Sequence, residues 1–239
     1  MRNANLKMQI AKFQKSDHFA FFNLHFALCN EARMTEESLV QKLKIISGLK
    51  VKVDEPLARY TSIKVGGPAD YLLEVESHQA LIQTLGVLRS QKIPFYLLGN
   101  GSNLLVSDLG VRGAVIRLGP DFKRIEWQES GENILVDVGA AYPVPQLVRQ
   151  AARRGCSGLE FAEGIPGSVG GALVMNAGAY GSEMEKIVDR VEAVTDVGEP
   201  RSFSREEMIF SYRDSHLPSG IIVTRLKLRL SKGKVEEID

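Results

Sequence analysis

The residues best suited to chemistry lie in a glycine-rich segment from Gly155 to Gly181. It reads GCSGLEFAEGIPGSVGGALVMNAGAYG and holds eight of the 22 glycines of the chain. Glycine has no Cβ and tolerates positive φ, so backbone N–H groups here can approach a ligand closely. Successive N–H groups form a concavity that suits a phosphate or pyrophosphate. Polar side chains are few and spaced, and they include Glu163, Ser168, Asn176 and Tyr180. The pattern favours a large, flat, partly apolar ligand with a phosphate tail, and a tight turn in an all-protein core is the alternative.

A second glycine cluster reads LGNGSNL, from Leu98 to Leu104. It follows an apolar run, but Leu104 stands where a dinucleotide fingerprint of the Rossmann type has its third glycine. The chain also has no GxxxxGK[ST] sequence, which excludes a P-loop. The cluster therefore predicts a strand, a turn and a second strand, with small and amide side chains around free backbone N–H groups. Alone it fits an ordinary hairpin turn, but beside the first segment it favours a shared dinucleotide site.

A third element, YTSIKVGGPAD, runs from Tyr60 to Asp70, and FSYRDS runs from Phe210 to Ser215. Together the four segments resemble, in the same order along the chain, motifs of the UDP-N-acetylenolpyruvoylglucosamine reductases of bacterial cell-wall synthesis. The resemblance extends from about Tyr60 to Leu230. It implies an α+β architecture, the two-lobed FAD-binding fold of the vanillyl-alcohol-oxidase-like (PCMH-type) class.

The resemblance also implies a noncovalent FAD. Covalent relatives in the wider fold attach the flavin through a histidine or cysteine in the phosphate loops, and Gly99–Asn103 contains neither. By resemblance, Gly99–Asn103 cradles the pyrophosphate. Seven residues between Gly164 and Gly171 line the flavin and its ribityl chain, and residues of the segment 176–180 lie nearby. The expected cofactor-binding residues are Gly99, Asn100, Gly101, Ser102 and Asn103; Gly164, Ile165, Pro166, Gly167, Ser168, Gly170 and Gly171; Asn176, Gly178, Ala179 and Tyr180; and, from the third element, Tyr60 and Gly67.

Arg213, within FSYRDS, matches the family arginine that faces the enolpyruvyl group of the substrate. Hydride addition to an enolpyruvyl ether builds enolate charge on its carboxylate. A planar, permanently charged guanidinium can bind that carboxylate in a bidentate manner and stabilise the charge. Without the resemblance, a surface ion pair with Asp214 is the simpler interpretation. His216 and Tyr212 are expected to be packing or surface residues.

The implied reaction is the reduction of UDP-N-acetylglucosamine enolpyruvate to UDP-N-acetylmuramate, a peptidoglycan precursor, with NADPH as co-substrate. Family members also have a third domain, which supplies a proton-donor serine and a glutamate near the C-terminus. Neither motif occurs here, so residues 232–239 are expected to be the start of that domain. The alternative is then an FAD-binding fragment or module without catalysis. A flavin oxidase on the same fold is a further alternative.

Composition limits the other classes of function. The chain has 239 residues, 44% of them hydrophobic and 25% charged, as in ordinary soluble globular proteins. A formal net charge of +1 argues against a dedicated nucleic-acid binder. Cys29 and Cys156 form no disulfide framework, and the four histidines show no metal-binding spacing. We expect a cytoplasmic protein, monomeric, without metal and without membrane or nucleic-acid partners.

The elements that position these segments divide into predicted units. Residues 1–33 include an apolar run from Phe19 to Cys29 and are expected to be a disordered or misassigned leader, with a signal peptide as the alternative. Residues 34–118 alternate strands and helices and predict an α/β lobe. Residues 119–231 predict an α+β lobe with an antiparallel sheet, and Pro120 is the expected hinge. The predicted helices are 35–47, a helix capped by Ser77 and 145–154; the predicted strands are 71–75, 95–98, 104–106, 114–118, 125–128, 134–138, 191–195 and 221–230.

Overall fold

The protein, seen in a computed structural model, is described over residues 36–233. The predictions for residues 1–33 and for the residues after 233 lie outside this part of the chain. Within the described residues, every helix is too short or too polar to cross a bilayer. The α-helices of this part are α1 (Glu36–Lys44), α2 (His78–Ser90), α3 (Val144–Arg153) and α4 (Val169–Val174).

The first sheet contains β1 (Leu49–Pro56), β2 (Pro68–Val75), β3 (Phe95–Leu97) and β4 (Val111–Leu118), in the order β1-β2-β4-β3. β1 is antiparallel to β2, whereas β2 and β3 both run parallel to β4. Parallel neighbours require a crossover, and α2 supplies one. The Ser77 hydroxyl caps this helix by accepting a hydrogen bond from the Ala80 amide at 3.2 Å. Its buried residues recur at helical spacing: Ala80, Leu81, Thr84, Leu85 and Leu88.

The second sheet contains β5 (Ile125–Ser130), β6 (Asn133–Gly139), β7 (Cys156–Ser157), β10 (Val188–Thr195), β11 (Pro200–Ser204) and β12 (Ile221–Lys232). It is antiparallel throughout and has the order β11-β10-β12-β6-β5, with the short β7 paired to β12. β12 is its longest strand and its burial alternates over much of its length, because one face packs on the core. α3 and α4 both pack their apolar residues into that core. A separate hairpin is formed by β8 (Gly178–Ala179) and β9 (Ser182–Glu183).

The segment between the two sheets is packed and hydrogen-bonded on both sides. A 3₁₀ helix, Pro120–Lys123, places Phe122 in a core that also contains Val194 and Ile222 of the second sheet and residues of the first. The Gly119 amide donates to the Val75 carbonyl at 2.7 Å, and the Ala141 amide donates to the Phe122 carbonyl at 2.9 Å. These contacts connect the segment to both lobes, and a hinge at Pro120 stays a prediction.

One predicted strand is wrong: the chain from Leu98 to Gly110 is a loop, and 104–106 is not a strand. The apolar side chains of Leu104 and Val106 are explained differently, because they pack against a small core under the loop. Apolar residues can serve this purpose without a strand partner, and short apolar runs do not distinguish the two cases.

Candidate functional site

The small core under the first sheet holds the loop Gly99–Asn103 at both ends. Leu98 is buried before the loop, and Leu104 and Val106 pack on the same cluster after it. Gly99, Asn100 and Asn103 between these anchors are exposed. The sequence thus alternates fixed apolar residues with a short stretch of exposed backbone, which suits a rigid binding loop.

The segment around Tyr60 lies directly against this loop. The Ser62 amide donates to the Gly101 carbonyl at 3.0 Å, and a Cβ on Gly101 would overlap the carbonyl oxygen of Tyr60. Gly101 has a φ of +63°, which favours glycine. This close approach requires a residue without a side chain, so Gly101 is needed for packing within the protein whether or not it contacts a ligand.

The glycine-rich segment meets the same loop from the second lobe. The Ser102 hydroxyl donates to the Pro166 carbonyl at 3.3 Å. A Cβ on Gly99 would lie 2.8 Å from the Ser168 hydroxyl oxygen, and one on Gly167 would lie 3.0 Å from that of Ser102. The two glycine clusters are therefore in contact although they lie more than sixty positions apart in sequence, and the dinucleotide site that they were predicted to share stays a prediction.

Several backbone N–H groups have no protein acceptor where the loop Gly99–Asn103 meets the glycine-rich segment, a place called the junction below. Among residues 36–233, the five successive amides from Gly99 to Asn103 donate no hydrogen bond to the protein, and neither do those of Gly164 and Gly167. Polar backbone groups are normally paired in secondary structure. A run of free N–H groups in a glycine-rich turn is the arrangement that binds anions.

The backbone of the loop Gly164–Ser168, within the glycine-rich segment, is hydrogen-bonded to neighbouring elements. The Val144 amide donates to the Gly167 carbonyl at 3.0 Å, and the Gly170 amide donates to the Ala140 carbonyl at 2.8 Å. The Ser168 hydroxyl caps α4 by accepting from the Gly171 amide at 3.3 Å. Helix α3 and the cap of α4 thus hold the loop at Gly167 and Ser168, and the residue after β6 holds the first turn of α4.

The glycines predicted to contact the cofactor differ in what surrounds them. A Cβ on Gly67 would overlap the Asp108 carbonyl, one on Gly178 would overlap that of Ser182, and one on Gly170 would lie 2.8 Å from the Ala140 Cβ. These three are required by packing within the protein. Gly164 differs, because it has a φ of +76° and a Cβ there would meet no protein atom within 4 Å. It borders open space.

The Tyr60 hydroxyl is already used within the protein. It accepts a hydrogen bond from the Lys52 ammonium at 2.9 Å and donates one to the Glu55 carboxylate at 2.8 Å. The guanidinium of Arg117 lies 4.7 Å from the centre of its ring. The hydrogen bond to Tyr60 raises the pKa of Lys52, and the one from Tyr60 lowers the pKa of Glu55. A cofactor contact of Tyr60 stays a prediction and would involve its backbone or its ring edge.

Asn176 and the hairpin after it complete the glycine-rich segment. The Asn176 side chain is buried, and both ends of its amide bond to backbone groups of other segments. Ala179 is half-buried in β8, and Tyr180 follows with 91% exposure and a φ of +53°. Tyr180 is thus free to contact a ligand, whereas the Asn176 amide is occupied.

Arg213 sits at the tip of a reverse turn. The Ser211 amide donates to the Asp214 carbonyl at 2.9 Å, and the Asp214 amide donates back to the Ser211 carbonyl at 3.1 Å. Arg213 is half-exposed with a φ of +61°, and its guanidinium lies 5.5 Å from the centre of the Tyr212 ring. The Asp214 carboxylate accepts a hydrogen bond from the His216 amide at 2.8 Å and lies 3.5 Å from the Nδ1 atom of the His216 ring.

Left-handed backbone is concentrated in these segments. Seven described residues other than glycine have a positive φ, and Lys64, Asn176, Tyr180 and Arg213 are four of them. Such conformations are uncommon outside glycine and cluster at functional sites. The sequence motifs therefore coincide with the places where the fold holds strained backbone. His216, with a φ of +43°, adjoins the last motif.

Sequence reasoning missed the residues that hold the Arg213 turn. Ser215 is buried, and both its amide and its hydroxyl donate to the Val174 carbonyl at 3.2 Å. The His216 ring nitrogen Nε2 lies 2.8 Å from the Ser211 hydroxyl. Nothing in the residue types indicates these contacts, since they join positions that are distant in sequence or depend on a positive φ.

Comparisons with known proteins identify the family to which this sequence is similar. Residues 69–204 match the family described as FAD binding domain. The UDP-N-acetylenolpyruvoylglucosamine reductase of Caldanaerobacter subterraneus subsp. tengcongensis is 45% identical over 204 residues, 84% of this chain and 66% of that protein. The enzyme of the same name from Alkaliphilus metalliredigens is 39% identical over 207 residues, 86% of this chain and 67% of that protein.

The crystal structure of UDP-N-acetylenolpyruvylglucosamine reductase from Thermus caldophilus superposes with a TM-score of 0.66 and 43% identity, covering 80% of this chain and 65% of that one. The chain spans about two thirds of the length of the curated relatives it matches. These similarities confirm the predicted α+β FAD-binding fold class. The chain therefore belongs to the UDP-N-acetylenolpyruvoylglucosamine reductase family and carries an FAD-binding domain.

Proposed function

We propose that the chain binds FAD noncovalently at the junction of its two glycine loops, and that the protein is a cytoplasmic, monomeric, NADPH-dependent reductase. Its substrate is UDP-N-acetylglucosamine enolpyruvate and its product is UDP-N-acetylmuramate. The observation that carries the proposal is the run of five amides, Gly99 to Asn103, without protein acceptors beside the loop at Gly167.

The residues of the junction fit this cofactor. The free amides suit the pyrophosphate, and neither Gly99–Asn103 nor Gly164–Gly171 contains a charged side chain. The phosphate charge is thus met by oriented backbone dipoles, as in other anion-binding turns. The open space beside Gly164 and the apolar Ile165 and Pro166 suit the flat flavin ring. When bound, FAD supplies hydride transfer from NADPH to the carbon–carbon double bond of the substrate.

Arg213 has the chemistry that the second half of the reaction requires. Hydride addition to the enolpyruvyl double bond places negative charge on the adjacent carbon, and conjugation spreads that charge onto the carboxylate. A proton must then reach the same carbon. The Arg213 guanidinium can hold the carboxylate with two parallel hydrogen bonds and lower the energy of the charged species. The hydrogen-bonded turn limits the positions that the Arg213 guanidinium can take, so this group is partly oriented before the carboxylate binds.

An anaerobic spectroscopic experiment tests the proposal. The protein, extended to the full length of its relatives so that the third domain is present, is loaded with FAD, reduced with NADPH and then mixed with the enolpyruvyl sugar nucleotide, and the flavin absorbance is followed. We expect Arg213→Ala to keep FAD and its bleaching by NADPH, while the return of absorbance slows by about 10²–10³-fold. The matched control is Arg201→Ala, an exposed arginine on β11, which should behave as wild type.

Three outcomes would contradict the proposal. A chain that takes up no FAD would contradict the site itself. Bound flavin that NADPH does not bleach would contradict the reductase and favour a binding module. Equal slowing of bleaching and of its reversal in Arg213→Ala would contradict the role of the arginine in the second half-reaction.

A further inference from the structure

The turn that carries Arg213 is attached to the glycine-rich segment through few contacts. We call the segment Ser211–His216 the arginine turn. Within it, two backbone hydrogen bonds between Ser211 and Asp214 close the reverse turn. Towards the glycine-rich segment, the Asn176 amide nitrogen donates to the Ser211 carbonyl at 3.1 Å, and Ser215 donates twice to the Val174 carbonyl. The position of Arg213 therefore depends on the C-terminal end of α4 and on the residues that follow it.

Asn176 is the residue best placed to control this attachment. Its side chain is 1% exposed, and its amide oxygen accepts from the Glu185 amide at 3.0 Å while its nitrogen donates to Ser211. One side chain therefore joins the segment after β9 to the arginine turn, from a position two residues after the end of α4. The amide orientation is determined, because reversal would set oxygen against oxygen at Ser211 and nitrogen against nitrogen at Glu185.

The residue type follows from the position. Only a side chain with one donor and one acceptor in a fixed plane satisfies both neighbours at once. Its φ of +39° is also one that asparagine tolerates better than most residues. Loss of the donor would remove one of the two hydrogen bonds that the Ser211 carbonyl accepts, and the bond from the Asp214 amide within the turn would stay.

We propose that Asn176 is a positioning residue, whose buried amide holds the turn that presents Arg213. This deepens the proposed function and rests on it for the role of the arginine. It assigns to Asn176 a role toward the substrate-facing arginine, in place of a direct contact with FAD. Asn176→Leu should therefore disturb the turn and substrate binding, and leave FAD binding nearly unchanged.

Two measurements test this, the first on the chain as it stands and the second on the protein extended to the full length of its relatives. Amide hydrogen exchange across residues 211–216 reports the turn without any ligand, and calorimetry of the FAD-loaded protein reports binding of the enolpyruvyl sugar nucleotide. We expect Asn176→Leu to speed exchange at Asp214 and Ser215 about tenfold and to weaken sugar binding about tenfold. FAD affinity should stay within about twofold. Asn133→Leu, in the β5–β6 hairpin, is the matched control and should change none of the three.

Asn176→Asp gives a second, nearly isosteric variant with a pH readout. A protonated carboxyl can donate its O–H to the Ser211 carbonyl, whereas the carboxylate cannot, and burial raises the pKa of a carboxyl here. We expect sugar binding like wild type at acidic pH and like Asn176→Leu at alkaline pH. Wild type and Asn176→Leu should lack this difference.

The proposal is overturned if exchange at the turn is unchanged in Asn176→Leu, if FAD affinity falls by the same factor as sugar affinity, or if Asn176→Asp shows no added pH dependence. Failure of the proposed function has a different signature. Wild-type protein would then fail to bind the sugar, or Arg213→Ala would bind it as well as wild type. The exchange measurement alone would in that case decide whether Asn176 holds the turn.

Discussion

Replacing Gly164 by alanine separates the cost of backbone strain from the loss of space for a ligand. Gly164 has a φ of +76°, and Gly131, at the tip of the β5–β6 hairpin, has a φ of +62°. A Cβ at either position would meet no protein atom within 4 Å. The two glycines are therefore a matched pair, alike in conformation and in the absence of protein neighbours, and they differ in their distance along the chain from the candidate site.

The magnitudes follow from this match. An alanine in the left-handed region costs about 1–2 kcal/mol relative to a relaxed backbone. Gly164→Ala and Gly131→Ala should each lower the free energy of unfolding of the FAD-free chain by about 1 kcal/mol. The same strain is present with and without FAD, so it cancels in the dissociation constant. Only a methyl group that enters space used by the flavin should change affinity, by about tenfold or more, which corresponds to roughly 1.4 kcal/mol.

The assay combines two titrations on each variant. Denaturant unfolding of the FAD-free protein gives the stability change, and flavin fluorescence or absorbance gives the FAD dissociation constant. We expect equal stability losses and a weaker FAD affinity in Gly164→Ala alone. Equal FAD affinities in the two variants would refute the assignment of the open space beside Gly164 to the cofactor. Weaker affinity in both would show that strain, and not lost space, governs binding.

Three further predictions concern residues that the structure assigns to packing and charge. In urea unfolding, Gly101→Ala should lower the free energy of unfolding by about 3 kcal/mol, because its Cβ would overlap the Tyr60 carbonyl. Gly86→Ala should raise the free energy of unfolding by about 0.5–1 kcal/mol, because Gly86 is a helical position with open space around it. Tyr60→Phe should lower the free energy of unfolding by about 1 kcal/mol, because two hydrogen bonds of the hydroxyl are lost, and it should leave FAD affinity unchanged. A large loss of FAD affinity with no change in the free energy of unfolding would instead assign the hydroxyl to the cofactor. Burial, with Arg225 as a second cause, lowers the pKa of His78 below its ordinary 6.5. The contribution of His78 to the free energy of unfolding should therefore be complete above about pH 6.5 and decrease at lower pH, because the unfolded state takes up the proton first. Thermal melts of His78→Gln should lose this pH dependence, and an unchanged pH profile would contradict the assignment.

Local patterns in the sequence predicted much of the secondary structure. Ser77 before a helix with apolar residues at helical spacing predicted α2, and the alternation from Ile221 predicted β12, although each boundary differs by a few residues. These succeed because capping and side-chain periodicity are properties of neighbouring residues. The strand predicted at 104–106 failed because its apolar residues pack on a core formed by distant segments.

The sequence also determined the family and the order of its motifs, but residue types alone could not assign individual roles. Gly67, Gly101 and Gly164 look alike in the sequence. Only the tertiary structure shows that the first two are needed for close backbone packing and that the third borders open space. The reason is that a missing Cβ has no meaning until the atom that would occupy its place is known.

Asn176 shows the same division between sequence and fold. Its place in a glycine-rich motif indicated proximity to a ligand, whereas the folded chain brings it to Ser211, thirty-five positions away, and to Glu185. An asparagine offers a donor and an acceptor wherever it stands. Which groups they satisfy, and therefore whether the residue binds a ligand or holds a turn, is decided by burial and by long-range contacts that only tertiary structure creates.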